Sequence, residues 1–75
     1  MARKKKGKRD IEKAYPRSRF IAKLRRLADA LENDTDFRIQ VAGERVRVPA
    51  RAVINIEHER GSTSEELEFQ LTWKL

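Results

Sequence analysis

Three groupings of side chains are of types that could do chemistry, and in each the spacing points away from catalysis. His58 stands between Glu57 and Glu59, a carboxylate–imidazole set of the kind that binds a metal or moves protons. In an extended segment residue 58 points opposite to 57 and 59, so the three cannot converge on one ion. The spacing makes His58 a structural histidine near a strand end, in phase with Ile54 and Ile56. Glu66 and Glu68 share a face and mimic a general acid–base pair, but alternation with Leu67 and Phe69 marks them as the exposed side of a ladder. Ser62, Thr63 and Ser64 are loop hydroxyls with no base in sequence reach. Gly7, Gly43 and Gly61 are isolated, so there is no glycine-rich phosphate loop. Zero cysteines exclude thiolate metal sites and disulfides, and one histidine excludes any cluster that needs two. No catalytic, cofactor-binding or metal residues are expected, and no small-molecule substrate.

What remains is charge. The 75 residues hold 18 Lys and Arg against 12 Asp and Glu, a net charge of +6. Residues 1–27 carry 12 basic side chains against Asp10 and Glu12, a net +10, whereas residues 28–75 carry 6 against 10, a net −4. Arg3, Lys4, Lys5, Lys6, Lys8 and Arg9 form a run too charged to bury anything, read as a flexible basic tail over residues 1–14. Arg19, Lys23 and Arg26 recur at i, i+4 and i+7 and line one flank of a predicted helix. Arg17 and Arg19 stand at its start while Glu32, Asp34 and Asp36 crowd its end, the reverse of what the helix dipole favours.

The tail with Arg17, Arg19, Lys23 and Arg26 reads as one basic surface for phosphates. It would bind nucleic acid or another polyanion without sequence preference and with steep salt dependence. A solubilising tail whose charge spills into the helix is the reading without function. The rival function is a protein partner or a homodimer. Either would use a sheet edge at 65–75 or 37–41, or dock the basic arm on the acidic late strands of a second copy.

The elements that must position these residues follow from hydrophobic period. Phe20, Ile21, Leu24, Leu27, Ala28 and Leu31 form one apolar stripe, predicting a helix from Pro16 or Ser18 to about Glu32. Residues 10–15 suit either a short edge strand or a lead into that helix. Asn33-Asp34 supplies a stop, because Asn tolerates the left-handed conformation. The period then becomes two: Phe37, Ile39 and Val41; Val46 and Val48; Ala52, Ile54 and Ile56; Leu67, Phe69, Leu71 and Trp73. Ala42-Gly43-Glu44 makes a tight turn, Pro49 ends the second strand, and residues 60–64 form a loop. The expected fold is α+β: one amphipathic helix on a four-stranded antiparallel meander, spanning residues 15–75. Basic early strands beside acidic late strands would form salt-bridged ladders on the other sheet face.

Four segments together resemble the amphi-Trp domain family: RFIAKLRRLADALE (19–32), FRIQVAGERVRVP (37–49), INIEHERG (54–61) and ELEFQLTW (66–73). That family is named for an alternating segment ending in Trp, here Trp73. The resemblance covers most of the chain, from about residue 11 to Trp73, and leaves the basic tail outside. It implies a small prokaryotic domain of uncharacterised function without assigned catalysis, and it carries no site residues onto this sequence. No apolar run approaches about eighteen residues, so no membrane partner is expected. The first residues resemble a signal-peptide start with no apolar segment after it, which gives a cytoplasmic expectation.

Overall fold

The computed structural model describes residues 14–75. The expected basic tail lies outside the described residues, apart from Ala14, which with Tyr15 is irregular. The fold is α+β, with one helix and four strands paired antiparallel. The described residues fall into two compact units, 14–51 and Ala52–Leu75.

The first unit holds helix α1 (Arg17–Glu32) and strands β1 (Phe37–Val41) and β2 (Glu44–Val48). Of the two sequence candidates for the helix start, Pro16 is the cap and Ser18 lies inside the first turn. The Pro16 carbonyl accepts the N–H groups of Arg19 (3.1 Å) and Phe20 (3.0 Å). At the other end three of the last carbonyls are taken. Asn33 N–H donates to Asp29 (3.0 Å), Thr35 N–H to Ala30 (3.0 Å) and Asp34 N–H to Leu31 (3.2 Å). The left-handed residue that ends the helix is Asp34, at φ 57°, rather than Asn33, at φ −92°. Asn33 instead turns its amide back onto the Asp29 carbonyl at 2.9 Å.

β1 and β2 pair with Phe37 opposite Val48, Arg38 opposite Arg47, Ile39 opposite Val46 and Gln40 opposite Arg45. The turn is two residues, Ala42 (φ 50°) and Gly43 (φ 82°), with Glu44 already in β2. Positive φ at both positions is the primed hairpin turn, whose twist matches that of the flanking strands. The buried side chains are Ala30 of α1 and the facing pair Phe37 and Val48.

The helix meets β1 along a seam other than the expected stripe. Its covered line is Lys23, Leu27 and Ala30, whereas Phe20 (54%), Leu24 (41%) and Leu31 (45%) are exposed. The reason is width. A helix is about 10–12 Å across, and two strands spaced about 5 Å apart cover one line of its residues, not a full apolar face.

The second unit is the hairpin of β3 (Val53–Arg60) and β4 (Glu65–Thr72), closed by a Gly61 N–H to Ser64 carbonyl bond of 2.8 Å. The strands therefore form two two-stranded sheets, which corrects the expected single meander. Between β2 and β3, Pro49 has no N–H and the Ala50 N–H is taken by the Asp36 carboxylate at 3.0 Å. Pro49 thus ends β2.

Two further expectations fail with the meander. Ile54 (60%), Ile56 (66%), Leu67 (62%) and Phe69 (63%) are exposed rather than core, while Glu66, Glu68 and Gln70 on the other face are half-buried. Trp73 lies just beyond β4 and is half-buried. Basic strands do not pair with acidic ones either. Arg38 faces Arg47, Glu57 faces Glu68 and Glu59 faces Glu66, because each hairpin pairs neighbours of like charge.

Ala42 is a β-carbon in the left-handed region, which disfavours residues other than Gly and Asn by about 1–2 kcal/mol. Replacing it with Asn, which the primed turn prefers ahead of Gly, is expected to raise unfolding stability by about 0.5–1 kcal/mol. Urea denaturation of A42N checks this; an unchanged or lower midpoint would contradict the turn geometry.

Candidate polyanion-binding site

Four contacts fix the basic flank of α1 beside β1. Lys23 Nζ lies 5.0 Å from the Tyr15 ring centroid. The Tyr15 hydroxyl donates to the Gln40 carbonyl at 3.2 Å. The Arg26 guanidinium stands 5.1 Å over the Phe37 ring and donates to the Arg38 carbonyl. Cations over aromatic faces are stabilised by the ring quadrupole, so both side chains are held by their stems and heads.

The hairpin supplies a second set of cations. With a side-chain period of two, Arg38 and Gln40 of β1 share a face with Arg47 and Arg45 opposite them on β2. Helix flank and hairpin border an open cleft of about 550 Å³, lined by Lys23 and Arg26 of α1, Arg38, Ile39 and Gln40 of β1, and Arg45, Val46 and Arg47 of β2. Ile39 and Val46 are on the covered face of the hairpin, and Arg38, Arg45 and Arg47 alternate to its exposed face. Among the described residues no carboxylate lines the cleft. A neighbouring hollow of about 400 Å³ mixes Arg26 and Arg38 with Asp29 and Asp36, so its sign is not uniform.

Asp36 approaches from outside the cleft and pairs with Arg47 at 2.6 Å. The Ala50 N–H, and then the Arg47 guanidinium, hold the Asp36 carboxyl below its ordinary range. Among the described residues, Arg19, Lys23, Arg26, Arg38 and Arg45 pair with no carboxylate.

The sequence-derived residues divide as follows. Arg3, Lys4, Lys5, Lys6, Lys8 and Arg9 lie outside the described residues. Lys23 and Arg26 line the cleft, and Arg19 continues their flank one turn upstream. Arg17 is in phase with Ile21 and Leu24 and falls on the apolar side, away from that flank. The reversed helix charge holds, with no acidic residue in the first turn and no basic residue in the last. Arg38, Arg45 and Arg47 lie on the exposed face of the hairpin, as alternation predicts, but without the salt-bridged partners on later strands that were expected for them.

In the second unit His58 Nε2 and the Arg60 guanidinium both meet Glu65 Oε2, at 2.7 and 2.9 Å. These bonds, His58 first and then Arg60, hold the Glu65 carboxyl below its ordinary range. The cluster is the strand-end structural role expected of His58. Among the described residues no group of three or more His, Asp or Glu is placed to hold a metal ion, and no helix is long and apolar enough to cross a membrane. No family model, curated protein or solved structure matches the chain.

An unfolded aspartate titrates near 3.8, and Asp36 in the folded chain titrates lower. Its contribution is complete above the unfolded value and is lost as the pH falls through the folded one. D36N is therefore expected to destabilise the chain at neutral pH and to flatten the acid limb below about pH 4 in urea midpoints measured against pH. An acid limb as steep as the parent's would contradict the Asp36 contacts.

Proposed function

We propose that this chain is a non-catalytic, cytoplasmic binding module akin to amphi-Trp domains that holds nucleic acid or another polyanion by charge. The side chains responsible are Arg3, Lys4, Lys5, Lys6, Lys8 and Arg9, together with Arg19, Lys23 and Arg26 of α1. One observation carries the proposal: the α1 flank meets no carboxylate among the described residues and opens into a cleft lined by further arginines. Cations held apart from the chain's own acids keep their full attraction for an external polyanion. Phosphate contacts of this kind release counterions and position a backbone without reading bases. Arg17 adds to the long-range field without sharing the flank.

A self-associating module, or one with a protein partner, is favoured by the exposed apolar side chains of β3 and β4. Sedimentation separates the two activities, since apolar association is insensitive to salt in the range where phosphate binding collapses.

Fluorescence anisotropy with a labelled duplex tests the main proposal. Affinity should fall steeply from about 50 to about 200 mM salt. Replacing Arg19, Lys23 and Arg26 with Gln should shallow the log–log salt slope by up to about 2.7 units. Binding indifferent to salt, or untouched by the triple substitution, would remove the α1 flank from the account.

A further inference from the structure

We infer that the outward face of the β1–β2 hairpin, formed by Arg38, Gln40, Arg45 and Arg47, docks in the major groove of duplex DNA and prefers guanine there. This assignment rests on the polyanion binding proposed above and adds a base-reading element to the α1 flank.

The register gathers the four side chains, with Arg38 opposite Arg47 and Gln40 opposite Arg45. All four are exposed, whereas Phe37 and Val48 of the reverse face are buried and Ile39 and Val46 are half-buried. Glu44, the one acid within the two strands, alternates to the reverse face with Val46. The ribbon thus turns three guanidiniums and one amide outward, and neither strand adds a carboxylate to them.

Dimensions suit a groove. The major groove of DNA is about 12 Å wide and about 8.5 Å deep, and it admits a two-stranded ribbon. Two strands lie about 5 Å apart, and five residues at about 3.3 Å each extend about 17 Å, the length of about five base-pair steps. A ribbon lying in the groove has a sugar-phosphate backbone along each edge. Arg26 donates to the Arg38 carbonyl and the Tyr15 hydroxyl to the Gln40 carbonyl, so the α1 flank comes up to the β1 edge of the ribbon. Lys23 and Arg26 are then placed for phosphates while the outward face meets base edges.

The chemistry of the face selects the base. Guanine presents O6 and N7 acceptors in the major groove, and one guanidinium matches both; a Gln amide matches N6 and N7 of adenine. Among the described residues Arg38 and Arg45 pair with no carboxylate, so their forks are open to guanine. Arg47 is paired with Asp36 at 2.6 Å and takes the lesser share. A single strand is the poorer fit, because the four side chains include no ring for bases to stack on and Phe37 is buried beneath the Arg26 guanidinium. Duplex RNA fits poorly as well, since its major groove is deep and narrow.

The test uses the full chain and three labelled duplexes of one guanine-containing sequence and equal length: DNA, its RNA counterpart, and DNA with 7-deazaguanine, which lacks the N7 acceptor. DNA is expected to bind about ten-fold tighter than RNA, and the 7-deaza substitution to cost about five-fold. R38Q/R45Q should bring the ratio of unmodified to 7-deaza DNA close to one. Replacing Arg19, Lys23 and Arg26 with Gln should weaken every duplex alike and keep that ratio. RNA bound as tightly as DNA, 7-deaza DNA bound as tightly as unmodified DNA, or R38Q/R45Q keeping the parent's ratio would each overturn the groove assignment and leave polyanion binding standing. Absence of salt-dependent binding to all three duplexes would overturn both. R38Q also removes a repulsion across the ladder from Arg47, so the hairpin is expected to stay folded. Should R38Q/R45Q alter the far-UV spectrum, the two ratios of the parent chain decide.

Discussion

Phe37 faces Val48 across the β1–β2 ladder, buried together with Ala30 of α1, and this pairing constrains everything else in the first unit. Side chains alternate along a strand, so a slip of one residue would turn Phe37 and Val48 outward and drive Arg38 and Arg47 inward. Burial of the apolar pair forbids that slip, and the two-residue turn at Ala42 and Gly43 closes the same register from the other end. The register that makes the small core therefore also gathers Arg38, Arg45 and Arg47 on one face. α1 completes the arrangement because its covered seam runs through Lys23, Leu27 and Ala30, which sets Lys23 and Arg26 at the junction.

Such a face works against the fold that produces it. A directly opposed like-charge pair opposes strand pairing by an amount comparable to the roughly 0.2–1 kcal/mol that favourable pairs contribute. The second hairpin carries the same tension with the opposite sign and relieves it internally. The Gln70 amide donates to Glu57 at 2.8 Å and to Glu68 at 3.4 Å, and Glu65 takes both His58 and Arg60. In the first hairpin Asp36 gives comparable relief to Arg47. Among the described residues Arg38, Arg45 and the α1 cations meet no carboxylate, a local inconsistency of the kind that accompanies a binding surface.

Much of the local structure was legible in the sequence. Pro16 and Ser18 bracketed the start of α1, the Asn33-Asp34 pair marked its end, and strict alternation located all four strands, since these signals act within a few residues. The long-range arrangement was not legible. Alternation says which residues share a face but not which strand lies beside which, so two separate hairpins look like a meander. The widest apolar stripe of α1 looked like its packing face, yet a two-stranded partner covers only one line of residues. The α1 part of the candidate site survived because i, i+4, i+7 spacing needs only a helix. The hairpin part depended on cross-strand partners that no single segment encodes.

The most direct test of the central claim is a side-chain Nε–Hε spectrum of the isotope-labelled full chain titrated with a thymidine single strand. The account predicts that the Arg19 and Arg26 signals move together and saturate at one stoichiometry, while Arg25 and Arg60 stay in place. Movement spread evenly over all arginines, or confined to those outside the α1 flank, would contradict it.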